Sequence, residues 1–495
     1  MKAIKNIILG GMVLISLSSC NDLLEIDPVN SMIPKSVEDY EDVLLGAYPD
    51  NEFFMKTEMM TDNVAVNPNG YGDMRRDYVP WYTWADSHQS DGEEYDSYWG
   101  ELYRSIFYAN TIIDDFNEKE VLPEDQELFE TIKGEAHAIR ALSYFYLANL
   151  YAEPYSSENL AKVCVPFSIT TEDLHERTQN NTRESVEVVW NLIVADLEEA
   201  SKLLAGKRPN TKVRFNYLSV EALRARVYLY MDNLDAAISS SSKVIAIYKP
   251  WDMNNIQDII DSENEPLEYL FTGERGVMDT GYQEDVLFSM CTNGGSRGAG
   301  GNIYYYSRGL QKPSEDLFNC FIEKGVESDT IFDYRRYIFE SFADTETYYG
   351  KQTGKTVYNM YSFQGPRHPY IGIKLGEVIL IRAEAYARKQ LNTKAIDDVK
   401  LLMKKRIQTD HFADYETMID AETDVLARVL KERRKETAFD GGLRWFDLRR
   451  LGKPALTHAD KEGSVFELKK GDLRYVLQIP ISEQKHSPNM ILNPR

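Results

Sequence analysis

Residues 431–450 read KERRKETAFDGGLRWFDLRR. The stretch begins as a charged helix: Leu426, Val429, Leu430 and Arg433 recur at three- and four-residue spacing, which draws one apolar stripe along an otherwise charged surface. The helix is expected to stop near Phe439, because Gly441 and Gly442 follow and glycine is the usual residue just past a helix end. Beyond it, Arg444-Trp445-Phe446-Asp447-Leu448-Arg449-Arg450 sets two aromatic rings and a leucine among three guanidinium groups and a carboxylate. A catalytic reading makes Asp447 or Glu436 a base. A structural reading makes the stretch a buried aromatic knot stitched by Arg–carboxylate pairs, since planar guanidinium forks suit buried ion pairs, and this second reading is the expectation.

Glu432-Arg433-Arg434, Glu436, Ala438-Phe439, Gly442, Arg444 through Arg450 and Gly452 resemble the C-terminal signature of the SusD/RagB family. Its members are outer-membrane lipoproteins of Bacteroidota that bind glycans or peptides beside a TonB-dependent transporter. The pattern is a signature of the fold, not of a ligand. Asp333-Tyr334-Arg335-Arg336 resembles the family's Asp-x-Arg segment, and Ile371 through Ala385 its strongest internal motif. In that motif Lys374 stands where Arg is usual and Gly376 where a larger small residue is common. Leu477-Gln478-Ile479-Pro480-Ile481 through Asn493-Pro494 is similar to the family terminus, and Leu23 to Pro28 (LLEIDP) to its opening segment.

Two segments also echo each other at one fixed offset. Ala225, Tyr228, Ala237, Ile238 and Val244 correspond to Ala383, Tyr386, Ala395, Ile396 and Leu402. Each reads as helix, turn, helix, with Asp232-Asn233 and Gln390-Leu391-Asn392 at the turns. Small Ala and aromatic Tyr are what a tetratricopeptide hairpin uses to pack its two helices, and Glu135 to Tyr151 reads as a first helix of the same kind. The repeats are scattered among long insertions rather than tandem. The expected fold is therefore mainly α: a tetratricopeptide-like helical scaffold whose irregular insertions form the ligand-binding part, as the family resemblance implies. A scaffold of this kind is more often an interaction surface than a catalyst.

In the N-terminal half, Pro28 and Pro34 disfavour helix, and Ser36 reads as the N-cap of a helix through Leu45 with Asp39 in its first turn. Trp99 begins a helix whose stripe is Trp99, Leu102, Ile106, Ala109, Ile112 and Ile113, with Asn110 as a packing polar residue. Further helices are expected over 124–151 and 185–204. His137 lies on the first of these without a partner at metal-ligand spacing.

Between the helices, residues 63–100 carry Pro68, Gly70, Gly72, Pro80 and Gly92 and read mostly as loop. The same stretch is dense in rings: Tyr71, Tyr78, Trp81, Tyr82, Trp84, Tyr95, Tyr98 and Trp99. Such density in a loop has two explanations. The rings pin a long loop to the helical body, or they face a ligand. In the family the corresponding region helps form an aromatic platform, so the resemblance names Trp81, Tyr82 and Trp84 as ligand-binding candidates. Tyr304-Tyr305-Tyr306, directly after the glycine-rich run 294–301, is a second candidate patch, weighed against core packing. The glycine run lacks the Lys-Ser/Thr ending of a P-loop and reads as a flexible loop.

At the start, Lys2 and Lys5 precede a short apolar run from Ile7 to Leu17, the pattern of a secretory signal too short to span a bilayer. Leu17-Ser18-Ser19-Cys20 resembles a lipobox, so Cys20 is expected to become the acylated first residue of the mature chain, whose acyl chains hold it at a membrane. Asp22 and Glu25 soon after Cys20 accord with surface export. The resulting organisation is a signal peptide over 1–19, an N-terminal region over 20–230 and a C-terminal region over 231–495, the last two forming one intertwined unit.

The net charge of −23 speaks against nucleic acid and anionic membrane surfaces as partners, which need clustered Lys and Arg. Most of the 32 tyrosines and six tryptophans are expected in the core, and a surplus on the surface would suit a binding face for sugars. Cys164, Cys291 and Cys320 remain once Cys20 is modified; no CxxC pair or Cys/His cluster points to zinc, and spacing does not decide a disulfide. Asp91 to Asp96 (DGEEYD) is not an EF-hand loop and reads as a solvated acidic loop rather than a calcium site. GxSxG, HExxH and a Cys–His pairing are all missing. The expectation is a non-enzymatic lipoprotein without cofactor or metal. It would capture an oligosaccharide, or a peptide, and hand it to a SusC-like TonB-dependent transporter at the outer membrane, facing the exterior. The alternatives are a secreted glycoside hydrolase, which needs two facing carboxylates about 5–10 Å apart, and a tetratricopeptide adaptor with an open concave groove.

Overall fold

The computed structural model describes residues 34, 36–49, 54–66, 74, 76–89, 96–118, 120–170, 182–207, 212–256, 285–290, 311–326, 330–338, 347–348, 351–352 and 371–495. Helix α1 (Asp39–Ala47), α2 (Phe54–Glu58), strand β1 (Val64–Val66) and the short α3 (Val79–Tyr82) lead into α4 (Ser97–Glu118) and α5 (Gln126–Tyr151). Then come β2 (Val163–Pro166), β3 (Arg183–Ser185), α6 (Val186–Leu203), α7 (Tyr217–Tyr230), α8 (Leu234–Ile245), β4 (Val286–Met290), β5 (Gln311–Pro313) and α9 (Glu315–Cys320). The C-terminal part holds β6 (Thr347–Tyr348), β7 (Lys351–Gln352), β8 (Ile371–Lys374), α10 (Leu375–Arg388), α11 (Asn392–Met403), α12 (Phe412–Asp420), α13 (Val425–Glu436) and α14 (Leu443–Arg450). Strands β9 (Leu456–Ala459) and β10 (Val465–Leu468) and helix α15 (Ile481–His486) close it. The described strands pair two by two, antiparallel, as β1–β5, β2–β3, β4–β8, β6–β7 and β9–β10. The fold is mainly helical, as the sequence implies.

The centre is α5. From Glu135 to Tyr151 every residue is buried, the mark of a helix surrounded by others. Helices α4 and α6 pack along it. Gly134 permits the closest approach, since a Cβ there would lie 2.8 Å from Leu204 Cγ. His137 is a packing residue: its Nδ1 lies 2.7 Å from Asp196, which also takes 2.8 and 2.7 Å bonds from Arg140. Arg140 reaches Asn110 at 2.9 Å, giving that residue its packing role. The cap at α1 differs slightly from expectation: the helix begins at Asp39, and Ser36 and Asp39 exchange reciprocal bonds at 2.9 and 3.3 Å.

The two echoed segments are helical hairpins, α7–α8 and α10–α11, and α10 packs against both α8 and α11. Their turns match in conformation as well as sequence: Asp232 and Gln390 take φ of 61° and 60°, and Asn216 and Asn233 cap the helices of the first hairpin.

The Lys431–Arg450 stretch is a buried knot. Helix α13 ends at Glu436; Phe439, Gly441 and Gly442 follow with positive φ, and α14 then begins. Trp445 and Phe446 are fully buried, and Trp445 stacks on Tyr475 at 4.7 Å. Arg433 and Arg450 share Asp447, each at 2.8 Å, and Arg450 also holds Glu384 at 2.7 Å. Glu436 takes Arg406 at 2.9 Å and Arg335 at 3.2 Å. Burial alone would raise the Glu436 and Asp447 carboxyls, but the guanidinium groups around them outweigh it and hold each at about 2. Groups fixed as ions inside closed pairs are fasteners, not general bases. Arg335 closes the Asp-x-Arg segment on Asp333 at 2.6 Å and reaches Glu432 at 2.7 Å. Lys374, the residue that departs from the family pattern, pairs with Asp440 and donates to Glu436 O at 3.2 Å.

The two halves of the chain interlock. Arg449 donates to the carbonyls of Asn149, Ala152 and Tyr475, and Arg183 to those of Tyr151, Cys164 and Ile491 and to the Asn493 side chain. Both guanidinium groups cap the carboxyl end of α5, where carbonyls lack helical partners. Cys164 and Cys320 are free thiols, Cys164 buried and pushed up to about 12.

Candidate functional site

Around the start of α3 the chain must turn, and Pro80 supplies a residue suited to a helix's first turn. The rings that follow face inward. Trp81, Tyr82 and Trp84 are 2 %, 1 % and 2 % exposed. Trp81 stacks on Tyr98 at 4.9 Å, and Trp84 donates its indole N–H to Met60 O at 3.0 Å. Of the two explanations for this ring-dense stretch, the burial supports pinning to the body: none of the three rings offers an open face for stacking. Tyr304, Tyr305, Tyr306 and Cys20 lie outside the described residues.

Trp84 is held in an uncommon backbone conformation, φ +50°, which costs about 1–3 kcal/mol in a non-glycine residue. Two contacts hold it there. Arg474 donates to Trp84 O at 3.0 Å, and the Trp84 ring stacks on His458 at 4.1 Å. On its other side His458 stacks on Tyr82 at 4.2 Å. The imidazole is thus a filling between two aromatic plates, at 5 % exposure.

His458 comes from β9, whose burial alternates: Leu456 and His458 inward, Thr457 and Ala459 outward. The β9–β10 hairpin turns through Asp460-Lys461-Glu462-Gly463, with Gly463 at φ +87°. Its tip leans over α3. Between them lies a pocket of about 210 Å³. Val66, Met74, Val79, Tyr82, Thr83 and Phe466 form its walls and floor, and Asp460, Lys461 and Glu462 its rim. The pocket is mostly apolar inside and charged at the mouth.

Tyr82 donates its hydroxyl to Ala459 O at 2.9 Å, and burial pushes its pKa up to about 12, so it stays protonated. Asp460 is half-buried; hydrogen bonds from the Ser464 side chain and from Ser464 N, the latter at 2.8 Å, hold its carboxyl below the usual range. A carboxylate kept ionised accepts hydrogen bonds well and donates a proton poorly. It therefore suits recognition of hydroxyl groups better than general-acid chemistry, which needs a raised pKa. Of the ligand-binding candidates named from sequence that are among the described residues, Tyr82 alone lines this pocket. The hairpin residues escaped notice, although alternation flanking an Asp-Lys-Glu-Gly turn is a hairpin signal.

The DGEEYD segment turns at least one carboxylate inward. Asp96 bonds His88 and Tyr151, the latter at 2.7 Å, and accepts from Tyr98 N at 2.8 Å at the start of α4; residues 91–95 lie outside the described set. Among the described residues no cluster of His, Cys, Asp and Glu is arranged to hold a metal ion.

Residues 24–229 match the SusD-like family described as "Starch-binding associating with outer membrane", and residues 340–495 match the SusD family under its SusD_RagB profile. The chain belongs to the SusD/RagB family. It is 27 % identical over 263 residues to SusD-like protein P38 of Formosa agariphila; the match covers 50 % of this chain and 46 % of that protein. The chain thus aligns with about half the length of this curated relative. A SusD superfamily protein from Bacteroides thetaiotaomicron superposes with a TM-score of 0.70 at 24 % identity, over 93 % of this chain and 100 % of that one. A SusD-like carbohydrate binding protein from Bacteroides vulgatus superposes with a TM-score of 0.63 at 17 % identity, over 92 % and 98 %. At these identities the structural likeness speaks for the fold. That fold is the SusD/RagB arrangement, in which helical hairpins carry irregular segments. Among the described residues no helix is long and apolar enough to cross a membrane.

Proposed function

We propose that this SusD/RagB protein captures an oligosaccharide and passes it to a SusC-like TonB-dependent transporter, and that it does not cleave what it binds. The observation that carries the proposal is the pocket under the β9–β10 hairpin. Its apolar lining, with the half-buried Phe466 ring, matches the C–H face of a sugar, and its ionised rim offers acceptors for hydroxyl groups. Apolar concavity with a few directed polar groups is the usual design of a small-ligand site. The family description and the carbohydrate-binding neighbour support the same ligand class. Attachment to the outer membrane would run through Cys20, with the folded body outside the bilayer on its exterior side.

Binding and turnover separate cleanly in experiment. The chain from residue 21 onward is titrated calorimetrically against a panel of polysaccharides and peptides, and the mixtures are assayed for new reducing ends. Saturable binding to a glycan with no product is expected. Release of reducing ends would replace this reading with a glycoside hydrolase, and binding confined to peptides would replace the ligand class.

A further inference from the structure

We infer that His458 is a positioning residue for the pocket, and that the number of protons on its ring sets where Tyr82 sits. The inference concerns regulation of the pocket and rests on its reading as a binding site.

The argument is one of donors and acceptors. His458 Nδ1 lies 2.8 Å from Tyr82 O, and its Nε2 lies 2.9 Å from Thr61 O. Both partners are backbone carbonyls, which only accept. A neutral imidazole carries one N–H and one lone pair. With the neutral ring, one of these contacts sets lone pair against lone pair; with the imidazolium, both are hydrogen bonds. Both distances are ones that a doubly protonated ring satisfies as hydrogen bonds. Its stacking between Tyr82 and Trp84 also favours a cation, because ring faces are negative.

Burial opposes this and pulls the His458 pKa below its ordinary value, while the two carbonyls and Asp62 push it back up. Asp62 is itself neutralised by Arg444 and Arg434. The other charged neighbours are Asp460 on the same hairpin and Arg474, which grips Trp84 O. In the neutral ring one carbonyl must be let go. Thr61 belongs to the segment between α2 and β1, whereas Tyr82 belongs to α3 and to the pocket floor, so the proton decides whether the floor is tied to the body through this ring.

The test needs no sugar. The chain is labelled with ¹⁵N-histidine and ¹³C-methyl methionine and followed from pH 8 to pH 4. Substitutions H458Q and M74L assign the signals, and Met74 serves as the pocket's reporter because it lines the wall. Both His458 nitrogens should carry protons at the acid end and only one at the alkaline end. The Met74 methyl should shift with the same midpoint, and H458Q should abolish that shift. A Met74 shift that persists in H458Q would belong to Asp460 or Glu462 and would overturn the inference. So would a His458 titration that leaves Met74 unmoved. If H458Q does not fold, the two wild-type midpoints decide: coincidence supports the inference and separation refutes it. None of these outcomes depends on a glycan binding, so failure of the ligand proposal is read separately.

Discussion

A side chain at position 376 and the carboxylate of Glu436 compete for one place: a Cβ on Gly376 would lie 2.1 Å from Glu436 Oε1. Glu436 fills that space because Arg406 and Arg335 hold it there. The glycine where a larger small residue is usual is therefore matched to the neighbour across from it. The substitution G376A should push Glu436 off its guanidinium partners and destabilise the fold by about 1–3 kcal/mol, the usual cost of overpacking. Thermal unfolding checks this: a fall of several degrees in Tm is expected, and an unchanged Tm would contradict the crowding.

Arg226 and Glu377 lie on α7 and α10, and their side chains join by 2.9 and 2.6 Å bonds while fully buried. Removing one charge strands the other. R226M and E377M should each cost about 3–5 kcal/mol, whereas R226M/E377M should cost much less than the two together, because no buried charge is left alone. Chemical denaturation of the three variants measures the difference. Additive losses would mean that the pair is solvated rather than dry.

Glu58 sits at the end of α2, 1 % exposed. Burial, and then the nearby Asp440 carboxylate, push its pKa to about 8 from 4.5. A carboxyl whose folded pKa is raised contributes its stability below the unfolded pKa and loses it as pH climbs towards the folded value. The window here runs from about 4.5 to about 8. Glu58→Gln keeps the shape and removes the titration. Its Tm should match that of the wild type near pH 5 and exceed it near pH 8, and parallel curves across that range would show that Glu58 is ionised throughout.

Much of this fold could be read from the chain because the decisive features are local and repeated. The Ala and Tyr positions of the two hairpins, and the glycine stop after Phe439, are short-range signals, and Asp232 and Gln390 even share their φ. The knot at Trp445 was legible because rings and arginines crowded into one stretch are hard to place at a surface. The pocket was not legible, for a physical reason. Tyr82 and His458 are 376 residues apart and meet only when the C-terminal hairpin folds back on α3. Ring density in the 63–100 stretch singles out Trp81, Tyr82 and Trp84, which lie beside the proposed pocket. Trp81, Tyr82 and Trp84 turn inward, and the hairpin residues Asp460, Lys461, Glu462 and Phe466 line the pocket from the other side. Nothing in a single sequence says which face of a ring meets water.

The most direct test of the glycan-capture account is a comparison of wild type with F466A/D460N, by calorimetric titration of the polysaccharide that the wild type binds. Phe466 and Asp460 are both half-buried and sit on the β9–β10 hairpin rather than inside the helical body, so the double variant should keep its fold. Loss of a central aromatic contact typically costs more than 1 kcal/mol, and every 1.4 kcal/mol is tenfold in affinity. The account predicts at least about tenfold weaker binding with unfolding unchanged. Affinity equal to that of the wild type would place the glycan elsewhere on the molecule and contradict the assignment of this pocket.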